Sequence, residues 1–231
     1  MEFSSVNSEP EYLKICNSEM LHIKTFTFNP FQENTYVLSD STGECIILDP
    51  GCYESFEKKE LSGFISDSNL RPVKILLTHT HIDHILGNSY LAGKYQIPIE
   101  MSEMETPMLE AAKEYGTLWG IQVEPSPAPA LFVTEGKDVS FGNTRLKVLF
   151  TPGHSPGSFS FYHQDTKSLF SGDVLFYESI GRTDLPGGDY DTLLSSIRRK
   201  LFTLPDDITV YPGHGPSTTI GHEKKFNPFL N

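Results

Sequence analysis

The first third of the chain is patterned as strands. Leu21–Phe28, Thr35–Leu38 and Glu44–Leu48 show period-two alternation or compact apolar runs, with Ser39–Gly43 as a hairpin turn. Asp49-Pro50-Gly51 closes that meander, and a helical spacing takes over near Tyr53–Ser66. Val73–Leu77 is then a short apolar run suited to a buried strand. A helix is expected to begin near Asp83, because Ile85, Leu86, Tyr90 and Leu91 take up its period and a carboxylate suits the free N–H groups of a first turn. Ile97–Ile99 reads as a further short strand. Met101, Met104 and Met108 recur at helical spacing with Leu109 and Ala112. Filling a core gap is the commoner use of such a stripe, and lining a substrate channel is the other. Gly116–Ala130 carries Trp119, Pro125, Pro127 and Pro129, which predicts an irregular loop and a candidate wall or lid for a site.

The second half repeats this grammar. Strands are expected near Asp138–Phe141, Thr144–Phe150, Ser158–His163 and Ser168–Phe170, then a helix at Tyr190–Leu201 and a strand at Ile208–Tyr211. Pro152-Gly153-His154-Ser155-Pro156 is echoed by Pro212-Gly213-His214-Gly215-Pro216, and each follows an apolar strand. Turns of this kind at strand ends expose a side chain to a common cleft. Met1–Glu19 is polar and without period, so it is expected to be a mobile extension ahead of one catalytic domain over 20–231.

Composition narrows the class. The formal net charge is −12, from 18 basic and 30 acidic residues, so nucleic acid is a poor partner. No apolar run is long enough to span a bilayer, and the N-terminus lacks a basic region followed by an apolar stretch. Three cysteines without a C-x-x-C spacing argue against a disulfide framework and a zinc finger, and a reducing cytoplasm fits them best. Cys45 lies in an apolar run and reads as a small buried side chain rather than a nucleophile.

The chemistry is concentrated after Val73–Leu77. His79, His81, Asp83 and His84 fall within six positions, and strand alternation sends His79 and His81 to one face. Such a group would repel protons and one another unless a cation held it. His154, His214 and Asp173, the last in Ser171-Gly172-Asp173, lie in comparable strand-end turns. Seven N and O donors are too many for one tetrahedral zinc and suit two metals sharing a carboxylate. His22 and His163 sit in strand patterns and His222 in a charged tail, so these three read as structural or solvated. Ser155 and Ser158 read as turn residues.

His79-Thr80-His81-Ile82-Asp83-His84, together with Thr151-Pro152-Gly153-His154-Ser155, Gly172-Asp173 and Gly213-His214-Gly215, resembles the metallo-β-lactamase-fold hydrolases over nearly the whole chain from about Leu21. Within that superfamily the match is to the short glyoxalase II-like (hydroxyacylglutathione hydrolase-like) proteins. The resemblance implies an α/β fold, a four-layer αββα sandwich with two divalent metals at one edge. Zinc is the first expectation for both, and ligands of this type also accept iron or manganese. It assigns His79, His81 and His154 to one metal, Asp83, His84 and His214 to the other, Asp173 to the bridge, and Asp49 to bracing the ligand loops.

The activity this implies is hydrolysis of a small acyl or thioester substrate by a bridging hydroxide, with Asp83 and Asp173 as the catalytic carboxylates and no serine or cysteine nucleophile. Arg182, Asp184 and Tyr177 are the candidate substrate contacts, and a Gly/Pro turn carrying a surface ion pair is the equal alternative for Ile180–Gly188. Full-length glyoxalase II has Gly-Lys-x-Tyr where this chain has Gly181-Arg182-Thr183-Asp184, and only seventeen residues follow His214, so the helical glutathione-binding domain is expected to be missing. The tail Glu223 and Asn227-Pro228-Phe229 is similar to the family's ending. Gly-Arg-Thr-Asp also occurs in persulfide dioxygenases of the same fold, which use one iron held by equivalents of His79 and His81 with His154 or Asp173. That enzyme is the alternative, and a lactonase is a variant of the hydrolase. An RNA-processing nuclease would want a basic groove, and a non-catalytic scaffold would need closed coordination. A monomer or homodimer is expected.

Overall fold

In the computed structural model, residues 20–230 are described. The extension expected at Met1–Glu19 lies outside them. Two six-stranded sheets form the centre. The first runs in chain order: β1 (His22–Phe28), β2 (Glu33–Ser39), β3 (Glu44–Leu48), β4 (Arg71–Leu76), β5 (Ile99–Met101) and β6 (Leu131–Phe132). Its first three strands pair antiparallel and the rest parallel. The second sheet contains β7 (Val139–Phe141), β8 (Thr144–Phe150), β9 (Phe159–His163), β10 (Ser168–Gly172), β13 (Thr209–Pro212) and β14 (Thr218–Thr219). A separate hairpin joins β11 (Leu175–Phe176) to β12 (Ser179–Ile180).

Alternation along the strands builds the layers. In β3, Cys45 and Ile47 face one apolar cluster while Ile46 and Leu48 face another. The first cluster is covered by helix α1 (Ser55–Asp67), through Leu61 and Ile65, and by α2 (Asn88–Tyr95), through Leu91. The second joins the sheets, setting Leu38, Ile46 and Leu76 against Leu146, Phe161 and Phe170. On the far side, Leu169 and Val210 pack beneath Leu193, Ile197, Leu201 and Ile220. Three apolar interfaces between four layers make the αββα sandwich that the resemblance implies.

Several elements differ from the sequence expectation. No helix starts at Asp83: Ile82–His84 is a single 3₁₀ turn, Asp83 caps nothing, and α2 begins at Asn88. Asp83 instead turns inward to His214. The methionines do not share a helix. Met101 ends β5, Met104 lies in a 3₁₀ turn at Glu103–Glu105, and Met108 lies in the short α3 (Thr106–Glu110). The chain leaves the sheet at Ser102, whose hydroxyl accepts from Met104 N and starts that turn. The strand expected at Ile97–Ile99 begins at its last residue. Gly116–Leu118 belongs to α4 (Ala112–Leu118), with irregular chain only from Trp119. The helix expected over Tyr190–Leu201 is α5 (Tyr190–Ser196) followed by a π turn at Ile197–Leu201. The last helix, α6, is Ile220–Phe226.

Candidate metal centre

The C-terminal ends of β4, β8, β10 and β13 open onto one rim, and the seven predicted ligands converge there. His79, His81 and His154 form one cluster and Asp83, His84 and His214 another, the donor atoms of each lying within 4.8 Å of one another. Asp173 stands between them. Its Oδ2 is 3.5 Å from both His154 Nε2 and His214 Nε2, and its Oδ1 is 3.3 Å from His84 Nε2. Asp173 therefore lies within 3.5 Å of imidazoles from both clusters.

Hydrogen bonds orient the imidazoles. Asp49 accepts from Thr78 N at 2.7 Å, from Thr78 Oγ1 at 2.6 Å and from His84 Nδ1 at 3.2 Å. Because Thr78 Oγ1 spends its proton on Asp49, it accepts from His79 Nδ1 at 3.0 Å. His154 Nδ1 donates to the Arg182 carbonyl at 2.7 Å, and His214 Nδ1 to the Phe31 carbonyl at 3.1 Å. Four histidines thus donate from Nδ1 to a group behind them and turn Nε2 toward the centre. His81 presents Nδ1, 2.8 Å from His154 Nε2. Asp49 reaches both partners from a left-handed backbone (φ 47°), a conformation that aspartate tolerates better than most residues.

Burial and mutual charge set the protonation. Burial first, then the other imidazoles, drive His79 well below its ordinary range, and burial with His154 beside it pulls His81 down to about 3. Burial opposes charge on His84 as well, yet Asp173 and Asp83 outweigh it and hold His84 well above its usual value. His214 is raised against its own burial by the hydrogen bond to Asp83 and the charge of Asp173. Asp173 is buried too, but His84, His214 and His154 hold it well below the carboxylate range. Two buried carboxylates thus draw positive charge toward His84 and His214. A dication supplies that positive charge without the protons.

The donor set fits such ions. His79 Nε2, His84 Nε2 and Asp173 Oδ1 are buried at the centre without a hydrogen-bond partner, a costly state for three polar atoms in one place. Donors about 2.1 Å from a tetrahedral ion stand roughly 3.4 Å apart, close to the spacings around Asp173. Burial pushes Cys45 and Cys52 up to about 12, so neither thiol is a nucleophile at neutral pH.

Over the centre opens a cleft of about 460 Å³. His81, Asp83, His154, Asp173 and His214 form its floor, and its walls are largely apolar, including Phe31, Met108, Tyr115, Trp119 and Leu185. Trp119 lies in the wall, one of the two roles expected of its loop. Met108 also lines the cleft, while Met101 fills the core, so the two uses of the stripe are divided. Among the predicted substrate contacts, Arg182 lines the cleft. Asp184 and Tyr177 do not: Asp184 is turned onto Arg182, and Tyr177 is drawn away by stacking on His222, with ring centroids 5.0 Å apart.

Sequence reading missed two buried carboxylates. Glu105 accepts from Thr80 N and Oγ1 (both 3.0 Å), from Gly157 N (2.7 Å) and from Ser155 Oγ, tying the His79–His81 loop to the His154 loop. Ser155 is thus more than a turn residue. Glu33 Oε1 lies 3.9 Å from His84 Nδ1, and burial raises the Glu33 carboxyl well above its ordinary range. A signal for Glu33 existed in Glu33-Asn34-Thr35, polar residues inside a strand; Glu105 resembles its exposed neighbour Glu103.

Comparison with known proteins agrees with this geometry. The family model described as the Metallo-beta-lactamase superfamily matches residues 28–214. The chain is similar to the probable metallo-hydrolase YqgX of Bacillus subtilis, at 44% identity over 87% of this chain and 94% of that protein. It is similar to the hydroxyacylglutathione hydrolase GloC of Haemophilus influenzae, at 37% identity over 91% of this chain and 99% of that one. Among solved structures, TTHA1623 in a di-iron-bound form superposes with a TM-score of 0.82, at 38% identity over 90% of this chain and 100% of the other.

Proposed function

The chain belongs to the metallo-beta-lactamase superfamily, in keeping with its short glyoxalase II-like subgroup, and from that premise we propose that it is a dinuclear metal-dependent hydrolase of thioesters or related small acyl compounds. One observation carries the reading: imidazole nitrogens oriented inward by hydrogen bonds behind them surround a carboxylate placed between two ligand triads. His79, His81 and His154 would hold one ion, Asp83, His84 and His214 the second, and Asp173 both. Two such ions supply water ionised near neutral pH and polarisation of a carbonyl. Asp83 borders the cleft and is placed to take the proton of an attacking water. Zinc is the proposed metal, and the di-iron form of TTHA1623 keeps iron in view.

Elemental analysis of protein purified without added metal, combined with a thioester assay, tests this. Two ions per chain and oxygen-independent turnover are expected. His79→Ala and Asp173→Ala should each abolish metal loading and turnover; full activity in either variant would end the proposal. The second reading is an iron-dependent persulfide dioxygenase, favoured by Gly181-Arg182-Thr183-Asp184 beside the His79–His81–His154 triad. It requires one iron per chain and oxygen consumed with glutathione persulfide.

A further inference from the structure

We propose that the cleft selects acyl compounds whose part beyond the reacting carbonyl is uncharged and apolar, such as a thioester of a neutral thiol, in preference to glutathione conjugates. The proposal rests on the hydrolase reading and narrows its substrate class.

Three observations carry it. The first is the wall. Trp119 stands edge-on to Phe31, with ring centroids 6.0 Å apart at 81°, and Met108, Tyr115, Ile180 and Leu185 continue the surface above the metal ligands. Trp119 is 55% exposed, a large apolar side chain left in water beside a polar centre. The second is extent. A further groove of about 270 Å³ shares Met108, Tyr115 and Pro186 with the cleft and runs on past Met104, Pro107 and Pro156. Its one carboxylate among the described residues, Glu105, has both oxygens occupied by donors from Thr80, Ser155 and Gly157. The two spaces therefore adjoin at Met108, Tyr115 and Pro186, and an apolar chain leaving the centre meets largely apolar surface in both.

The third is charge. Among the described residues, Arg182 is the one lysine or arginine lining either space. Its Nε and Nη2 donate to the two oxygens of Asp184, at 2.6 and 2.7 Å. A glutathione conjugate carries two carboxylates, and the one lysine or arginine lining the cleft already holds an anion. The whole chain adds a net charge of −12 against any anionic ligand. Arg182 in this arrangement neutralises its own loop instead of recruiting a carboxylate.

Non-hydrolysable thioethers separate this idea from the hydrolase reading. S-Hexyl-N-acetylcysteamine and S-hexylglutathione share the apolar arm and differ in charge. Each is titrated into the metal-loaded protein, following the emission of Trp119, the only tryptophan in the chain. The neutral thioether is expected to bind at least tenfold more tightly and to shift the emission. Asp184→Asn, an exposed substitution, should raise affinity for S-hexylglutathione alone and narrow the gap. Equal or tighter binding of S-hexylglutathione by the unaltered protein, or emission unmoved by both compounds, overturns the proposal. Neither compound is cleaved, so these outcomes do not depend on turnover, whereas absence of any thioester hydrolysis sinks the hydrolase reading instead.

Discussion

Glu105 shows what a single side chain contributes to this centre. Asp49 braces the His84 side by gathering Thr78 and His84, and Glu105 does the same for the other triad by gathering Thr80, Ser155 and Gly157. Glu105→Gln keeps the shape but turns one acceptor oxygen into a donor facing other donors. With two bonds lost inside a buried site, a destabilisation of about 2–4 kcal/mol is expected by chemical denaturation. Metal affinity should fall about 10–100-fold at the His79–His81–His154 triad and change little at Asp83–His84–His214. Equal weakening of both ions would show that Glu105 acts only on global stability. The seven proposed ligands stood out in the sequence because imidazoles and carboxylates are conspicuous in turns after apolar strands. The role of Glu105 was not, because its partners lie 25–52 positions away and only the fold brings them to it.

Strands and turns decide how closely those side chains approach. Gly213 follows β13 directly, and its amide donates to the Gly172 carbonyl at 2.9 Å, drawing two ligand turns together. A Cβ at Gly213 would fall on Asp173 Oδ1 and lie 2.7 Å from His84 Cε1. Gly213→Ala should therefore displace Asp173, costing at least tenfold in metal affinity and most of the turnover. Far-UV circular dichroism is expected to stay unchanged, since β13 pairs through residues before the turn. Retained two-ion loading in this variant would refute the account. At this scale the sequence was readable wherever one face of a strand meets a core, as in β3 and β8. It misled where neighbouring elements override spacing. Met101, Met104 and Met108 have the intervals of a helix, yet the pairing of β5 with β6 claims Met101, and the turn at Ser102 sends the chain off in a new direction.

For the whole molecule, the centre spans the junction of the two sheets, so the ions should bear on global stability. Asn34, in the first sheet, donates from its backbone to Gly213 at 2.7 Å and from its side chain to Pro212 and Gly215. Tyr36 Oη donates to the Pro212 carbonyl at 2.6 Å, and Phe159 N to the Thr78 carbonyl at 2.9 Å. The proposed ligands come from both sides of these ties: His79, His81, Asp83 and His84 follow β4, and His154, Asp173 and His214 follow strands of the second sheet. Ions that bind only the folded state add stability by mass action, about 2.7 kcal/mol each at a free concentration one hundred times the dissociation constant. For a domain of this size that corresponds to a rise in Tm of roughly 5–10 °C per ion. Chelation should lower Tm by this order as one transition, with Trp119 emission and far-UV circular dichroism changing together. Because the ligands are divided between the sheets, neither half can release an ion and keep its own rim intact. Two separated transitions after chelation, or a Tm indifferent to metal, would mean that the ligand turns hold their places without ions and that the sheets owe their docking to the apolar interface alone.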